Sequence, residues 1–228
     1  MIILNSEKED YHVHSLNFSD GMNTIDELVR FSGEIGMKKL AIADHSQAAL
    51  NALGWSKKNP REVLKRWKNI YNEVEVLFGV EADLLNEQGD ICAHIQGFQG
   101  DFTILSYHPN VYRGDKKKLS EAYLRAIEKH HAILSVIGHL YVNCQGVDIA
   151  AVIASANTHH IPLELNCFYL ISKRDLDENA LNLVLEQADQ IYVNSDAHTL
   201  AELKESRKQG FRYLEQIQGE WTGQGLKV

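Results

Sequence analysis

Cysteine is scarce in this sequence, and its few copies form no motif. Cys92, Cys144 and Cys167 are the three cysteines among 228 residues. They lie far apart, form no CxxC pair and are odd in number, which argues against a disulfide framework and against a thiolate zinc site. We therefore expect a reducing, cytoplasmic setting.

Long apolar runs and an excess of basic residues are also missing. No run approaches the roughly 20 apolar residues of a membrane span, and the opening MIILNSEKED becomes acidic too early for a signal peptide. The net charge of -8 argues against a general nucleic-acid surface, because proteins that track phosphate backbones carry a basic face. We expect neither a membrane nor a nucleic-acid partner.

Prolines and linker-like segments are few as well. The chain has three prolines, and neither a low-complexity stretch nor a shift in composition divides it. Hydrophobic residues make up 44% of the chain, which is enough for one sizeable core. A single domain over residues 1–228 is therefore expected.

What the sequence does contain is a repeated alternation of short apolar runs and longer amphipathic segments. The runs are rich in Ile, Val and Leu and predict buried strands at 38–44, 75–82, 101–108, 132–139, 161–167 and 190–198. Apolar residues at helical spacing predict helices at 24–36, 60–74, 117–131, 148–160, 177–188 and 200–210. This βα repeat predicts a parallel α/β fold, either a doubly wound sheet or a closed barrel.

Histidines and acidic residues stand at the ends of the predicted strands. They are His12 and His14, Asp44 and His45, Glu81 and Asp83, His108, His139, Glu164, and Asp196 and His198. In a barrel the carboxyl ends of all strands meet on one face, where active sites are built, whereas an open sheet would scatter these residues along a ridge. The pattern therefore favours a closed barrel.

The stretch EDYHVHS carries His12 and His14 at positions i and i+2. On a strand, alternate side chains share a face, so the two imidazoles point the same way and indicate a metal. Buried histidines and carboxylates are costly unless they are paired or bound to a cation, so the strand-end residues together predict a site for several metal ions. Glu164 is expected to be a strand carboxylate held by neighbouring donors.

Six segments, taken together and in order, resemble the motifs of the polymerase and histidinol phosphatase (PHP) superfamily. They are DYHVHS with SDG at 10–21, IADHS at 42–46, GVEAD at 79–83, LSYH at 105–108, IGHL at 137–140 and NSDAH at 194–198. The resemblance implies a distorted (β/α)7 barrel of TIM type with its metal site at the carboxyl ends of the strands. It also implies two or three divalent ions, zinc, manganese or iron, and hydrolysis of phosphate esters.

The resemblance further implies a set of metal ligands. They are His12, His14, Glu81 and Asp196 for a first ion, Glu81, His108 and His139 for a second, and His45 and His198 with Asp20 for a third. Many family members have a further histidine shortly after the HxH pair, where this chain has Asp20. The aspartate is expected to shift the third position towards metals that favour oxygen ligands.

The expected chemistry assigns roles to further side chains. Two cations bridged by a carboxylate can supply a hydroxide nucleophile at neutral pH. The leaving alkoxide needs a proton, and His198 is the candidate donor, as is Asp20 when it is not bound to metal. Arg113, Lys173 and Arg174 follow predicted strands and are candidate ligands of the substrate phosphate.

We therefore expect a metal-dependent phosphatase for a small phosphorylated substrate, with histidinol phosphate as the first candidate and a nucleotide or sugar phosphate next. One alternative is a nuclease or nucleotide bisphosphate phosphoesterase, related to PHP domains of DNA polymerases, although the acidic sequence shows no basic strip. A metal-stabilised binding domain without turnover is another alternative. Degenerate family members lose several ligands, and here nearly the full set is present.

Overall fold

A computed structural model describes residues 1–55 and 64–223, and in this part of the chain helices surround a curled parallel sheet. The strands are β1 Ile2–Ile3, β2 Glu9–Val13, β3 Lys39–His45, β4 Glu75–Leu84, β5 Ile91–Cys92, β6 His94–Ile95, β7 Phe98–Gln99, β8 Phe102–Ser106, β9 Val136–Ile137, β10 Leu163–Asn166 and β11 Gln190–Asn194. The helices are α1 Ile25–Glu34, α2 Gln47–Leu53, α3 Leu119–His130, α4 Ile149–Thr158, α5 Cys167–Ser172, α6 Glu178–Gln187 and α7 Leu200–Gly223. The predicted parallel α/β class is confirmed.

The main strands follow one another in the order β2, β3, β4, β8, β9, β10 and β11, and each neighbouring pair is parallel. A parallel bridge between Val13 and Ala197 joins the end of β2 to the segment after β11. At this seam the His14 N–H donates to Ala197 O at 2.9 Å. The sheet therefore closes on itself, which confirms the predicted distorted (β/α)7 barrel of TIM type.

The barrel departs from regular βα alternation between β4 and β9. Strand β5 pairs antiparallel with β4, and β6 and β7 form a small antiparallel pair, so this connection is built from strands. Strand β9 is shorter than the strand predicted at 132–139, because the chain turns directly after α3. In that turn the Ile133 N–H donates to His130 O at 2.9 Å.

The helix predicted at 60–74 is wrong over 67–74, while its first part, 60–63, lies outside the described residues. Two asparagine side chains compete with helical hydrogen bonds there. Asn69 Nδ2 donates to Val74 O at 2.9 Å, and Asn72 Nδ2 donates to Val29 O on α1 at 2.9 Å. The segment therefore reaches β4 as a loop tied to α1.

Two short helices begin directly where strands end. Ser46 follows β3 and caps α2, because its Oγ accepts from the Ala48 N–H at 3.1 Å. Asn166 ends β10 and caps α5 by accepting from the Tyr169 N–H at 3.3 Å. Such caps satisfy N–H groups that have no partner within the first helical turn. They fix the turns that carry polar side chains at the carboxyl end of the barrel.

The apolar core lies mainly between the sheet and the helices. One cluster packs α3, α4 and α6 against the sheet, and Ile127, Ile153 and Val184 are fully buried in it. A second cluster packs α1 against β3 through Leu28 and Leu40. Burying each such side chain stabilises the fold by about 1.5–3 kcal/mol. None of the described helices combines the length and apolar character that a membrane crossing requires.

Candidate metal centre

Nine histidine and acidic side chains meet around one space at the carboxyl end of the barrel. They are His12, His14, Asp20, His45, Glu81, His108, His139, Asp196 and His198. Parallel strands of a barrel all end on the same side, so residues distant in sequence converge there. The structure thus brings together the complete set of side chains that the sequence predicts as metal ligands.

His12 and His14 come from the end of β2. Val13, between them, packs outward in the cluster with α1, so the two imidazoles point into the barrel. Both Nε2 atoms lie 3.6 Å from an oxygen of Glu81, and His14 Nε2 lies 3.1 Å from Asp196 Oδ1. The i and i+2 spacing therefore places two ring nitrogens beside the same two carboxylates.

Glu81 lies at the centre of the group. Its Oε1 lies 2.9 Å from His139 Nε2 and 3.3 Å from His108 Nε2. Its Oε2 lies 2.9 Å from His45 Nδ1. Each oxygen faces histidines from different strands, which is the arrangement expected of a carboxylate that bridges two cations.

The donor atoms fit divalent metal ions. Three groups have donor atoms within 4.8 Å of one another, namely His12, His14 and Glu81; His45, Glu81 and His108; and His14, Asp20, His45 and His198. The Nε2 atoms of His12 and His14 are buried and make no hydrogen bond. A buried polar atom without a partner costs about 1–3 kcal/mol, whereas imidazole nitrogens and carboxylates readily bind zinc, manganese or iron.

Burial and neighbouring charges put two of the candidate ligands, His14 and Glu81, in forms that bind cations. Burial, together with the nearby His198 and His45, lowers the pKa of His14 to about 4. Burial opposes the charge on Glu81, but His108 and His45 outweigh it and hold the pKa of that carboxyl well below its usual range. Near neutral pH, His14 therefore keeps a free lone pair and Glu81 is an anion.

Asp20 lies in a loop that folds back against β2. A Cβ at Gly21 would lie 2.1 Å from His14 O, so the loop can approach this closely only with glycine there. Asp20 Oδ1 lies 3.3 Å from His198 Nε2 and 3.6 Å from His45 Nε2. Although burial opposes both charges, the hydrogen bond between Asp20 and His198 lowers the pKa of Asp20 and raises that of His198 to about 9. The two candidate proton donors are thus paired.

Two polar side chains contact candidate ligands on the side away from the cavity: Asp83, to which the sequence analysis gave no role of its own, and Asn166, which it did not name. Asp83 Oδ1 lies 2.7 Å from His108 Nδ1, and Asp83 also accepts from Ser46 Oγ at 2.5 Å. Asn166 Nδ2 donates to Asp196 Oδ2 at 3.0 Å. Such contacts orient metal ligands. The signal in the sequence was a polar residue at the end of an apolar run, which both Asp83 and Asn166 show.

A cavity of about 460 Å³ opens onto the metal centre. Aromatic side chains form much of its wall, among them Trp55, Tyr107, Phe168 and Tyr169. Of the described residues that line it, Arg174 is the one arginine or lysine. The cavity therefore offers a small substrate several flat apolar surfaces and one guanidinium.

The three basic residues predicted to bind phosphate lie in different places. Arg174 is at the cavity, with its Nε 3.6 Å from Asp175 Oδ2 and its side chain 74% exposed. Lys173 pairs with Glu178 on α6 at 3.6 Å, and Arg113 lies in a separate surface depression beside α2. Neither Lys173 nor Arg113 is among the described residues that line the cavity.

Comparison with known proteins agrees with this geometry. The family model described as PHP domain matches residues 10–214. A protein of Shewanella sediminis (strain HAW-EB3) named "Probable phosphatase" is 28% identical over 203 residues, covering 86% of this chain and 80% of the relative. Another of that name, from Serratia proteamaculans (strain 568), is 27% identical over 215 residues, covering 91% and 83%.

Among solved structures, this fold resembles the histidinol phosphate phosphatase of Lactococcus lactis subsp. lactis, which was solved in complex with zinc, L-histidinol and phosphate. The TM-score is 0.56 at 14% identity, and the match covers 89% of this chain and 92% of that one. This likeness concerns the fold. With the family model matching nearly the whole length, the chain belongs to the PHP domain family.

Proposed function

We propose that this protein is a metal-dependent phosphatase that hydrolyses a phosphomonoester of a small molecule. The observation that carries the proposal is the position of Glu81, whose two oxygens face histidines from different strands at the floor of a cavity. Relatives that are named "Probable phosphatase" support the same activity. When bound, two divalent ions in such a site lower the pKa of water and neutralise phosphoryl oxygens.

The same residues that converge in the structure would hold the metal ions. His12, His14, Glu81 and Asp196 would hold one, Glu81, His108 and His139 a second, and Asp20, His45 and His198 a third. The mixed imidazole and carboxylate set suits zinc, manganese or iron. We propose two or three ions, and Asp20 in the third group favours a metal that binds oxygen well.

With two ions bound and the third position empty, protonation of the leaving alkoxide is assigned to the pair formed by Asp20 and His198. Both side chains line the cavity and remain partly exposed, at 36% and 29%, so they can exchange protons with water. Their hydrogen bond allows the proton to reside on His198 while Asp20 stays charged. His198 thus carries a proton at the wall of the cavity beside the candidate metal ligands, which is where a general acid for the leaving alkoxide is required.

The cavity supports a small substrate over a nucleic acid. Its volume of about 460 Å³ falls within the range of roughly 300–1,000 Å³ that is typical of small-molecule sites. A polynucleotide or a bisphosphate needs several cations along its path, whereas Arg174 is the one permanent cation among the described lining residues. Histidinol phosphate is the first candidate, because its ring could stack on the aromatic wall.

The experiment is a phosphate-release assay with the protein reconstituted separately with manganese, zinc and iron. Histidinol phosphate, nucleoside monophosphates, sugar phosphates and a nucleoside bisphosphate are compared, with Glu81→Gln as the matched inactive control. We expect turnover of at least one monophosphate and weak or no turnover of the bisphosphate. Absence of phosphate release from every substrate by protein shown to hold metal would contradict the proposal.

A further inference from the structure

Glu164 is the second residue of β10, lies directly behind the candidate metal centre and is 1% exposed. Its Oε1 lies 2.8 Å from His12 Nδ1 and accepts from Asn194 Nδ2 at 2.9 Å. Its Oε2 accepts from the backbone N–H of His139 at 3.1 Å and from Asn166 Nδ2 at 3.2 Å. One buried carboxylate therefore faces four nitrogens that come from four different strand ends.

The number of partners requires a carboxylate at this position. An ionised carboxyl group offers about four acceptor sites and no donor, so it can satisfy all four nitrogens at once. A glutamine would offer one acceptor oxygen, and its NH2 group would face two donors. Three of the partners, two amide groups and a backbone N–H, are donors under all conditions. Glu164 is thus matched to its surroundings by charge as well as by shape.

For His12, this contact determines which ring nitrogen carries the proton. In the neutral ring, which is the form that binds a metal ion, Nδ1 donates to Glu164 and Nε2 carries the lone pair. That Nε2 is buried, makes no hydrogen bond and lies 3.6 Å from both Glu81 Oε1 and Asp196 Oδ1. Glu164 therefore turns the bare nitrogen of His12 towards the metal centre.

For His139, Glu164 holds the backbone instead of the ring. His139 has φ +24°, a region that residues other than glycine seldom adopt. Such a conformation costs about 1–3 kcal/mol and persists only where neighbouring contacts enforce it. The N–H bond to Glu164 Oε2 is such a contact, and it leaves the ring free to reach Glu81 Oε1 with its Nε2 at 2.9 Å.

We propose that Glu164 is a positioning residue that orients ligands of two metal positions at the same time, through the ring of His12 and the backbone of His139. The inference rests on the metal site described under the proposed function. Asp83 provides the contrast, because of the nine proposed ligands it contacts His108 alone, at 2.7 Å. Loss of Glu164 should therefore lower the affinity of the protein for two ions, and loss of the Asp83 charge should lower its affinity for one.

The test compares Glu164→Gln with Asp83→Asn in the intact chain. Zn²⁺ is titrated into metal-stripped protein in competition with a chromophoric chelator, and the visible spectrum of Co²⁺-loaded protein reports ligand geometry. Removing a group that orients a ligand costs roughly 10-fold to 100-fold in metal affinity. We expect Asp83→Asn to lower the affinity for one ion by this factor. Glu164→Gln should lower the affinities for both ions and change both sets of Co²⁺ bands.

Wild-type affinity for both ions in Glu164→Gln would overturn the proposal, as would the weakening of a single ion. Should that variant fail to fold, Glu164→Asp keeps the charge but withdraws it by one methylene. Unchanged metal affinities in Glu164→Asp would then overturn the proposal, while lower affinities for two ions would support it. If the wild-type protein itself binds no Zn²⁺, the proposed function fails, and that result is distinct from a failure of the role of Glu164.

Discussion

Two buried polar clusters flank the same strand, β2, and they differ in how completely they are paired. On the side of α7, Asp10 Oδ2 lies 2.8 Å from Arg207 Nε and accepts from Ser195 Oγ at 2.5 Å. Inside the barrel, the Nε2 atoms of His12 and His14 have no hydrogen-bond partner. Both clusters are buried, and Arg207 Nε, like the two histidine nitrogens, makes no hydrogen bond of regular geometry. In the first cluster, however, the charge of Arg207 is matched by the Asp10 carboxylate of the same chain.

The difference separates a structural site from a ligand-binding site. Arg207 also donates to the backbone oxygens of Glu9, at 3.2 Å, and Leu203, at 3.1 Å, so its charge joins α7 to β2. Native proteins pair nearly all their buried polar groups, and each exception needs an explanation. At the candidate metal centre, the explanation we propose is a cation from outside the chain. Breaking the first cluster should therefore affect stability, and breaking the second should affect catalysis.

The largest effect is expected from His12→Ala. It removes one nitrogen that faces both Glu81 and Asp196, so phosphate release should fall by roughly a hundredfold to a thousandfold, as when a group that stabilises transition-state charge is lost. His131→Ala, an exposed histidine after α3, is the matched control and should retain full turnover. Unchanged turnover in His12→Ala, measured with saturating metal, would remove this residue from the metal site.

The next effect concerns the paired cluster. Arg207→Met leaves Asp10 buried without its cation, which should lower the free energy of unfolding by about 3–5 kcal/mol. Urea unfolding of metal-free protein measures this, and the turnover of the folded protein should stay within about twofold. The double variant Asp10→Asn with Arg207→Met should recover part of the loss. A single variant as stable as the wild type would mean that the ion pair does not join α7 to the sheet.

The smallest effect is expected at the rim of the cavity. Arg174 is exposed and faces Asp175, so Arg174→Ala should raise KM for the phosphorylated substrate by about tenfold with little change in kcat. Lys173→Ala, next to it but paired with Glu178, serves as the control and should leave KM unchanged. Equal KM values for the wild type and Arg174→Ala would exclude a contact between this residue and the phosphate.

Much of the fold could be predicted because its signals are local. Apolar runs rich in Ile, Val and Leu identified β3 and β4 closely, and histidines at strand ends indicated a barrel. The helix predicted at 60–74 was wrong over 67–74 because the Asn69 and Asn72 side chains donate to backbone oxygens, one of them on α1. Periodicity does not register such contacts, since they depend on which element lies beside the segment.

For the site, the sequence by itself determined which residues could be ligands. The i and i+2 spacing of His12 and His14 fixes a shared face on any strand, and strand-end acids such as Glu81 follow from the βα repeat. The tertiary structure decided which atoms face one another. The strand order puts β10 between β9 and β11, which brings Glu164 to His139 and Asn194. Closure of the barrel adds β2 and so brings His12 to the same carboxylate. Strand order is a long-range property that local spacing does not contain, so the support behind the ligands became visible only in the folded chain.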